Sequence, residues 1–196
     1  MVSLIALVVG QRFGARDNEQ PQNTAVLDGA NAQGSTMISA PGIASGDATP
    51  PAPDISQLSP EQRAERLYNR ILRESEAGRP ETVRSFLPMA FAAFEMLSPM
   101  SLEHRYDMGR IAEVGGDTAR ARAQADTILQ QRPTHLLGLI LSAEAARMVG
   151  NEPRARQFDE RLLNGESRER AVALPEYLLH KRDIDAAIAA ARALRK

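Results

Sequence analysis

The chain has 196 residues, of which 43% are apolar and only 4% aromatic, and its formal net charge is −1. This balance excludes the overall positive field by which nucleic-acid-binding domains hold their ligands. Cysteine is absent, which excludes disulfides, thiolate metal sites and cysteine nucleophiles.

Residues 1–14 are a short apolar segment, MVSLIALVVG followed by Gln, Arg, Phe and Gly. As a helix, its first ten residues would cover about 15 Å, half of the ~30 Å hydrocarbon core of a bilayer. Three interpretations are open. The segment contacts a membrane, by partial insertion or as the end of a longer span, or it docks on this or another protein. The third is a cleaved signal, although basic residues before the run and a clear cleavage site after it are missing. The side chains expected to contact a partner or membrane are Leu4, Ile5, Leu7, Val8, Val9 and Phe13.

Residues 15–57 change character and are rich in Pro, Gly, Ser and Ala, with no periodicity. Five acidic and no basic side chains lie between Asp17 and Gln57. Such a tract buries too little apolar surface to offset its ordering entropy. We therefore expect an extended, partly polyproline-like tail, which is either a flexible linker or is held in place by a partner surface.

Residues 58–196 have helical periodicity throughout. Ser59, Pro60 and Gln62 predict a capping box at the first helix, which ends near Gly78. The second helix, from Pro80 to about residue 97, contains Pro88, which predicts a kink. Six more helices are predicted at about 101–114, 117–131, 134–149, 152–163, 167–181 and 184–195, with a turn at Asn164-Gly165, an interruption at Pro175 and Asp183 as the last cap.

Residues 102–167 contain the same helical pair twice, 34 residues apart. A fixed period with one helical hairpin per unit is typical of helical repeat arrays. The recurring positions are Gly109 as Ala143, Gly116-Asp117 as Gly150-Asn151, Ala121 as Ala155 and Ile128 as Leu162. With Pro133 closing the first unit, the pattern resembles a degenerate tetratricopeptide repeat, in which Arg105 and Ala112 replace the usual aromatic residues. We expect an all-α domain of antiparallel helical hairpins, stacked as a short tetratricopeptide-like array.

The resemblance implies that the first helix of each pair lines a concave, partner-binding groove. The side chains on that face are Tyr106, Arg110, Val114, Leu137, Ile140, Leu141, Glu144 and Arg147. The family's peptide-terminus clamp does not map here, because Asp107 and Glu113 interrupt the face. The fifth helix is apolar on nearly all sides, so it is either the central helix of a bundle or receives a partner or the chain's own tail on its outer side.

No catalytic, cofactor or metal site is expected. His104, His135 and His180 lie far apart without an HExxH pattern, and GxGxxG, P-loop and GxSxG motifs are missing. We expect the histidines to be solvated or capping, and Asp183 and Asp185 to serve the start of a helix.

Four arginines follow the two repeat turns, at positions 120, 122, 154 and 156. They form either a solvated face with Asp126, Asp159 and Glu160, or a docking patch for an acidic protein or for lipid headgroups. The general excess of Arg over Lys is typical of a GC-rich bacterial genome.

The sequence therefore predicts a non-catalytic scaffold subunit that organises a larger membrane-bound complex, such as a respiratory or photosynthetic one, through its repeats and tail. The alternative is a peptide-binding co-chaperone or assembly factor that exchanges its clients. The expected partners are other protein subunits, with membrane contact through residues 1–10 and no nucleic acid. We expect a membrane-associated bacterial protein; the acidic, Lys-free tail favours a periplasmic domain, whereas Arg12 and Arg16 favour the opposite side.

Overall fold

The computed structural model describes residues 57–195, which form eight helices and no strand. The predicted all-α fold is confirmed for this range. Residues 1–56, with the predicted apolar segment and tail, lie outside the described residues. The helices are α1 (Pro60–Glu76), α2 (Pro80–Glu95), α3 (Leu102–Val114), α4 (Thr118–Gln131), α5 (Leu136–Met148), α6 (Glu152–Val172), α7 (Pro175–Leu179) and α8 (Lys181–Leu194).

The first six helices pack as three consecutive pairs joined by the same turn. Gly78, Gly116 and Gly150 have φ of 68°, 79° and 69°, a backbone conformation that favours glycine. Each glycine N–H donates to the carbonyl three residues earlier, and the next N–H donates to the carbonyl five residues before it. This is the Schellman motif, which satisfies the last carbonyls of a helix. The repeated turn thus extends to the α1–α2 pair.

Side-chain caps start α4 and α6, the helices that follow two of these turns. Asp117 accepts a hydrogen bond from the Arg120 N–H at 2.9 Å, and Asn151 accepts one from the Arg154 N–H at 3.1 Å. The predicted Ser59–Gln62 capping box is present on α1. Because the N-terminal N–H groups of a helix lack partners within it, each cap fixes where its helix begins.

The C-terminal third differs from the prediction in three places. Helix α6 continues through Asn164-Gly165 to Val172, because the cost of about 1 kcal/mol for a helical glycine is offset by the burial of Leu162 before it and Glu169 after it. Ala173, with a φ of 54°, ends α6, and Pro175 opens the short α7. Helix α8 begins at Lys181, so Asp183 lies within its first turn and does not cap it.

The buried apolar residues form two clusters. One joins α1 and α2 with Met108 and Ile111 of α3, and the other joins α3 to α8 around the apolar α5. Helices α3 and α5 approach closely at Gly109, where a Cβ would lie 2.2 Å from Cδ2 of Leu141. Helix α5 is therefore the central helix of the domain.

Candidate protein-interaction surface

The structure places most of the predicted groove residues in the core. Tyr106, Leu137 and Leu141 are 0% exposed, and Ile140 and Arg110 are also buried. The reason is that α3 and α5 pack on each other at Gly109 and Leu141, and that Ile184 and Ile188 of α8 join the same cluster. Only Val114, Glu144 and Arg147 are half-buried. Within residues 57–195 most of this face is therefore covered, and its role in binding a partner stays a prediction.

The charged residues of this covered face form two ion pairs at equivalent repeat positions. Arg110 pairs with Glu113 on α3, and Arg147 pairs with Glu144 on α5 at 2.6 Å, with the order of charges reversed. Burial, together with the negative charge of Glu144, raises the pKa of Glu113 to about 7. The positive charge of Arg110 acts in the opposite direction but does not cancel these effects. Arg147 also contacts Asp159 of α6. These side chains are engaged within the domain and contribute to its packing.

His180 occupies the N-cap position of α8 without a side-chain cap bond, and it is buried against α3, so the prediction of a solvated side chain is wrong. Its ring lies 4.7 Å from that of Tyr106, and its Nε2 is 3.3 Å from Oδ1 of Asp107. Its Nδ1 is 3.8 Å from Oδ2 of Asp183, which accepts a hydrogen bond from the Tyr106 hydroxyl at 2.9 Å. Burial raises the pKa of Asp183, but contacts with His180 and Arg110 outweigh it, so this pKa lies below its ordinary value.

His135 is also buried, beside a second polar network around Glu169. Glu169 accepts hydrogen bonds from Arg132, Thr134 and Tyr177 at 2.9, 2.6 and 2.9 Å. The Tyr177 hydroxyl in turn accepts the Leu136 N–H at 3.0 Å. Burial lowers the pKa of His135, although Glu176 contacts its Nε2 at 3.1 Å. This network fastens α7 to the α4–α5 connection.

An open groove of about 560 Å³ lies between α4 and α6, with α5 as its floor. We call it the α4–α6 groove. The space between α4 and α6 stays open because several residues that face it, such as Ala119 of α4 and Ala145 and Ala146 of α5, have small side chains. Its lining is Thr118, Ala119, Arg122 and Asp126 of α4, Ser142, Ala145 and Ala146 of α5, Val149, and Asn151, Arg154 and Phe158 of α6 and its cap.

The groove combines an apolar floor with an exposed basic edge. The Arg154 guanidinium lies 4.6 Å from the centre of the Phe158 ring. Arg122 forms a 3.6 Å pair with Asp126, and these side chains are 77% and 54% exposed. Such exposed pairs contribute little to stability, so Arg122 can exchange its partner at low cost. Val149, 64% exposed, adds apolar surface at the rim.

The other arginines of the predicted patch are engaged differently. The Arg120 guanidinium stacks 4.0 Å from the centre of the Phe91 ring and pairs with Glu95 at 2.8 Å. Arg156 is exposed, whereas Asp159, one of its expected partners, is buried against Arg147. The solvated face expected with Asp126 thus applies to Arg122, and the docking patch stays a prediction.

The groove was not recognised from the sequence, because its residues come from three helices that lie next to each other only after folding. Two signals were present: the Ala145-Ala146 pair on a helix otherwise rich in large apolar residues, and Arg154 four residues before Phe158. Residues four apart lie on the same face of a helix, which favours a contact between them.

No family model, curated protein or solved structure matches this chain. Among the helices of residues 57–195, none combines the length and the hydropathy needed to cross a bilayer. The predicted contact residues Leu4, Ile5, Leu7, Val8, Val9 and Phe13 lie outside the described residues.

Proposed function

We propose that this chain is a non-catalytic interaction subunit that binds a segment of a partner protein in the α4–α6 groove. One observation carries the proposal: an open groove with Ala145 and Ala146 on its floor and two guanidinium groups in its lining crosses three of the four helices of the repeat region, α4, α5 and α6. The face of α3 and α5 that was expected to line a groove is mostly covered. We therefore expect the partner to bind in the α4–α6 groove and not on that face.

The lining indicates the kind of segment that fits. Ala145, Ala146 and Val149 present apolar surface, so burying one or two aliphatic side chains there is favourable by about 25 cal/mol per Å². Arg122 and Arg154 line the same groove, and guanidinium groups bind carboxylates by paired hydrogen bonds, so an acidic side chain beside the aliphatic ones suits this lining. The proposed ligand is therefore an apolar protein segment that carries at least one Asp or Glu.

The scaffold role in a larger complex is part of this proposal. Helical repeat arrays present extended surfaces that suit protein partners. The tail, if it binds a second site on the same assembly, would raise the effective concentration of the groove near its ligand. Membrane association depends on residues 1–10 and stays a prediction from their composition.

The test uses the full chain, isolated from its native cells together with its partner. Val149→Glu places a carboxylate at the rim beside the acidic segment, and Arg154→Glu reverses a charge. The matched control, Leu194→Glu, makes the same change as Val149→Glu at a residue that is 61% exposed outside the groove. All three sites are exposed, so folding should be kept, which circular dichroism checks.

We expect both groove variants to weaken partner binding at least about 10-fold, corresponding to about 1.4 kcal/mol, and the control to bind like the parent chain. Binding that survives both groove variants but is lost on removal of residues 1–56 would contradict the proposal and locate the interaction in the tail.

A further inference from the structure

We propose that Glu103, Asp107 and His180 bind a divalent transition-metal ion, with Zn²⁺ as the representative, between α3 and α8. We call these residues the His180 cluster. They share no residue with the α4–α6 groove, so the two proposals can fail independently. Each offers one ligand atom, and the three atoms lie within 4.8 Å of one another.

The placement of the three side chains follows from the helices that carry them. Glu103 and Asp107 are four residues apart on α3, so both carboxylates lie on one face, a single turn apart. His180 sits at the start of α8, which packs on that face. The fold thereby brings together residues that are 73 positions apart in the chain, counting from Asp107 to His180.

The geometry of the buried pair suits a small tetrahedral ion. Nε2 of His180 and Oδ1 of Asp107 are 3.3 Å apart. Two ligands of a tetrahedral zinc ion at about 2.1 Å from the metal are separated by about 3.4 Å. An ion can therefore enter between these atoms with almost no movement of either residue.

Asp183 orients the histidine for this role. Nδ1 of His180 is 3.8 Å from an Asp183 carboxylate oxygen, which is itself held by the Tyr106 hydroxyl. A carboxylate that accepts a hydrogen bond from one imidazole nitrogen holds the proton there and leaves the other nitrogen as a metal ligand, and a movement of about 0.6 Å brings Asp183 within hydrogen-bond distance. Asp183 is thus a positioning residue, and its oxygen need not touch the ion.

Exposure distinguishes the third ligand. Asp107 and His180 are 2% and 4% exposed, whereas Glu103 is half-buried. The ion would enter from the Glu103 side, and that carboxylate would close on it by a side-chain rotation. One imidazole and two carboxylates leave a fourth position for water, and this mixed set suits Zn²⁺ better than Mg²⁺, which prefers oxygen ligands only.

The experiment is a titration of the full chain with Zn²⁺, and separately with Mg²⁺, followed by the ring-nitrogen signals of its three histidines in ¹⁵N NMR. We expect one equivalent of Zn²⁺ to shift Nε2 of His180, with His104 and His135 unchanged, and Mg²⁺ to have no effect. Calorimetry on the same samples gives the affinity.

Two variants test the ligands. Glu103→Gln, at a half-buried site that folding tolerates, should weaken Zn²⁺ at least about 10-fold, and Asp183→Asn about 10- to 100-fold, the range found when a partner that orients a ligand is lost. Glu95→Gln, on α2 outside the cluster, should bind like the parent chain. A Zn²⁺ affinity that is equal in Glu103→Gln and the parent, or a titration that leaves His180 Nε2 unshifted, would overturn the proposal.

Discussion

The close approach of α3 and α5 at Gly109 can be tested with a pair of identical substitutions. Gly109→Ala introduces a Cβ that would lie 2.2 Å from Cδ2 and 3.0 Å from Cδ1 of Leu141, which is fully buried. Gly165→Ala makes the same change inside α6, where nothing lies within 4 Å of the added Cβ. The helix propensity gained is the same at both sites, so the difference between the variants measures the clash.

The magnitudes follow from these contacts. Replacing a helical glycine by alanine stabilises the helix by about 0.8–1 kcal/mol. Overpacking a filled core costs about 1–3 kcal/mol, because Leu141 must leave its rotamer or α5 must shift. We expect Gly165→Ala to raise the free energy of unfolding by up to about 1 kcal/mol and Gly109→Ala to lie about 1–3 kcal/mol below it.

Urea unfolding of both variants in the full chain gives the two differences, provided that the slope with urea is unchanged. Repeating both substitutions in a Leu141→Ala chain identifies the cause. Measured against that chain, Gly109→Ala should lose its penalty because the clashing atoms are gone, and the effect of Gly165→Ala should stay the same. If both glycine substitutions stabilise the chain equally, the inferred contact between α3 and α5 is refuted.

The remaining predictions concern buried polar groups. Tyr106→Phe should lower the free energy of unfolding by about 1–3 kcal/mol, because Asp183 loses a buried hydrogen bond, as thermal unfolding would show; an unchanged melting temperature contradicts this. Because the pKa of Asp183 is lowered in the folded state, its contribution to the free energy of unfolding should be present above about pH 4 and fade as the pH falls further. Asp183→Asn should remove that part of the loss of stability in acid. The pKa of Glu113, raised to about 7, has the opposite sign, so its contribution should decline as the pH rises from 4.5 to 7, and urea titrations of Glu113→Gln should lack this decline. Glu169→Ala should cost at least about 2 kcal/mol and raise hydrogen exchange in residues 175–179, because α7 is held through Glu169; unchanged exchange there contradicts the assigned network.

The local structure could be predicted because it depends on neighbouring residues. The glycines of the hairpin turns and the capping side chains of Asp117 and Asn151 each act within about five residues of their own position. The same local reasoning ended α6 too early at Asn164-Gly165. The burial of Leu162 and Glu169 on either side of that dipeptide outweighs its turn preference, and sequence pattern alone gives no measure of such packing.

The covered face and the buried His180 could not be predicted because they depend on the position of α8, and the buried His135 could not be predicted because its neighbours lie on α7. The apolar side chains of α8 are compatible with several packing partners, and only the folded chain brings His180 to Asp107. For the same reason, the first helices of the repeats were assigned an open groove. Once α8 covers that face, the free surface is the α4–α6 groove.

The most direct test of the interaction role is photo-crosslinking in the native cells. A photoreactive amino acid placed at Val149, on the rim of the groove, is compared with one at Leu194, which is similarly exposed at the end of α8. The account predicts one protein crosslinked through Val149, at a peptide with aliphatic and acidic residues, and none of it through Leu194. Crosslinking of the same protein through Leu194 and not through Val149 would contradict the assignment of the groove as the binding site.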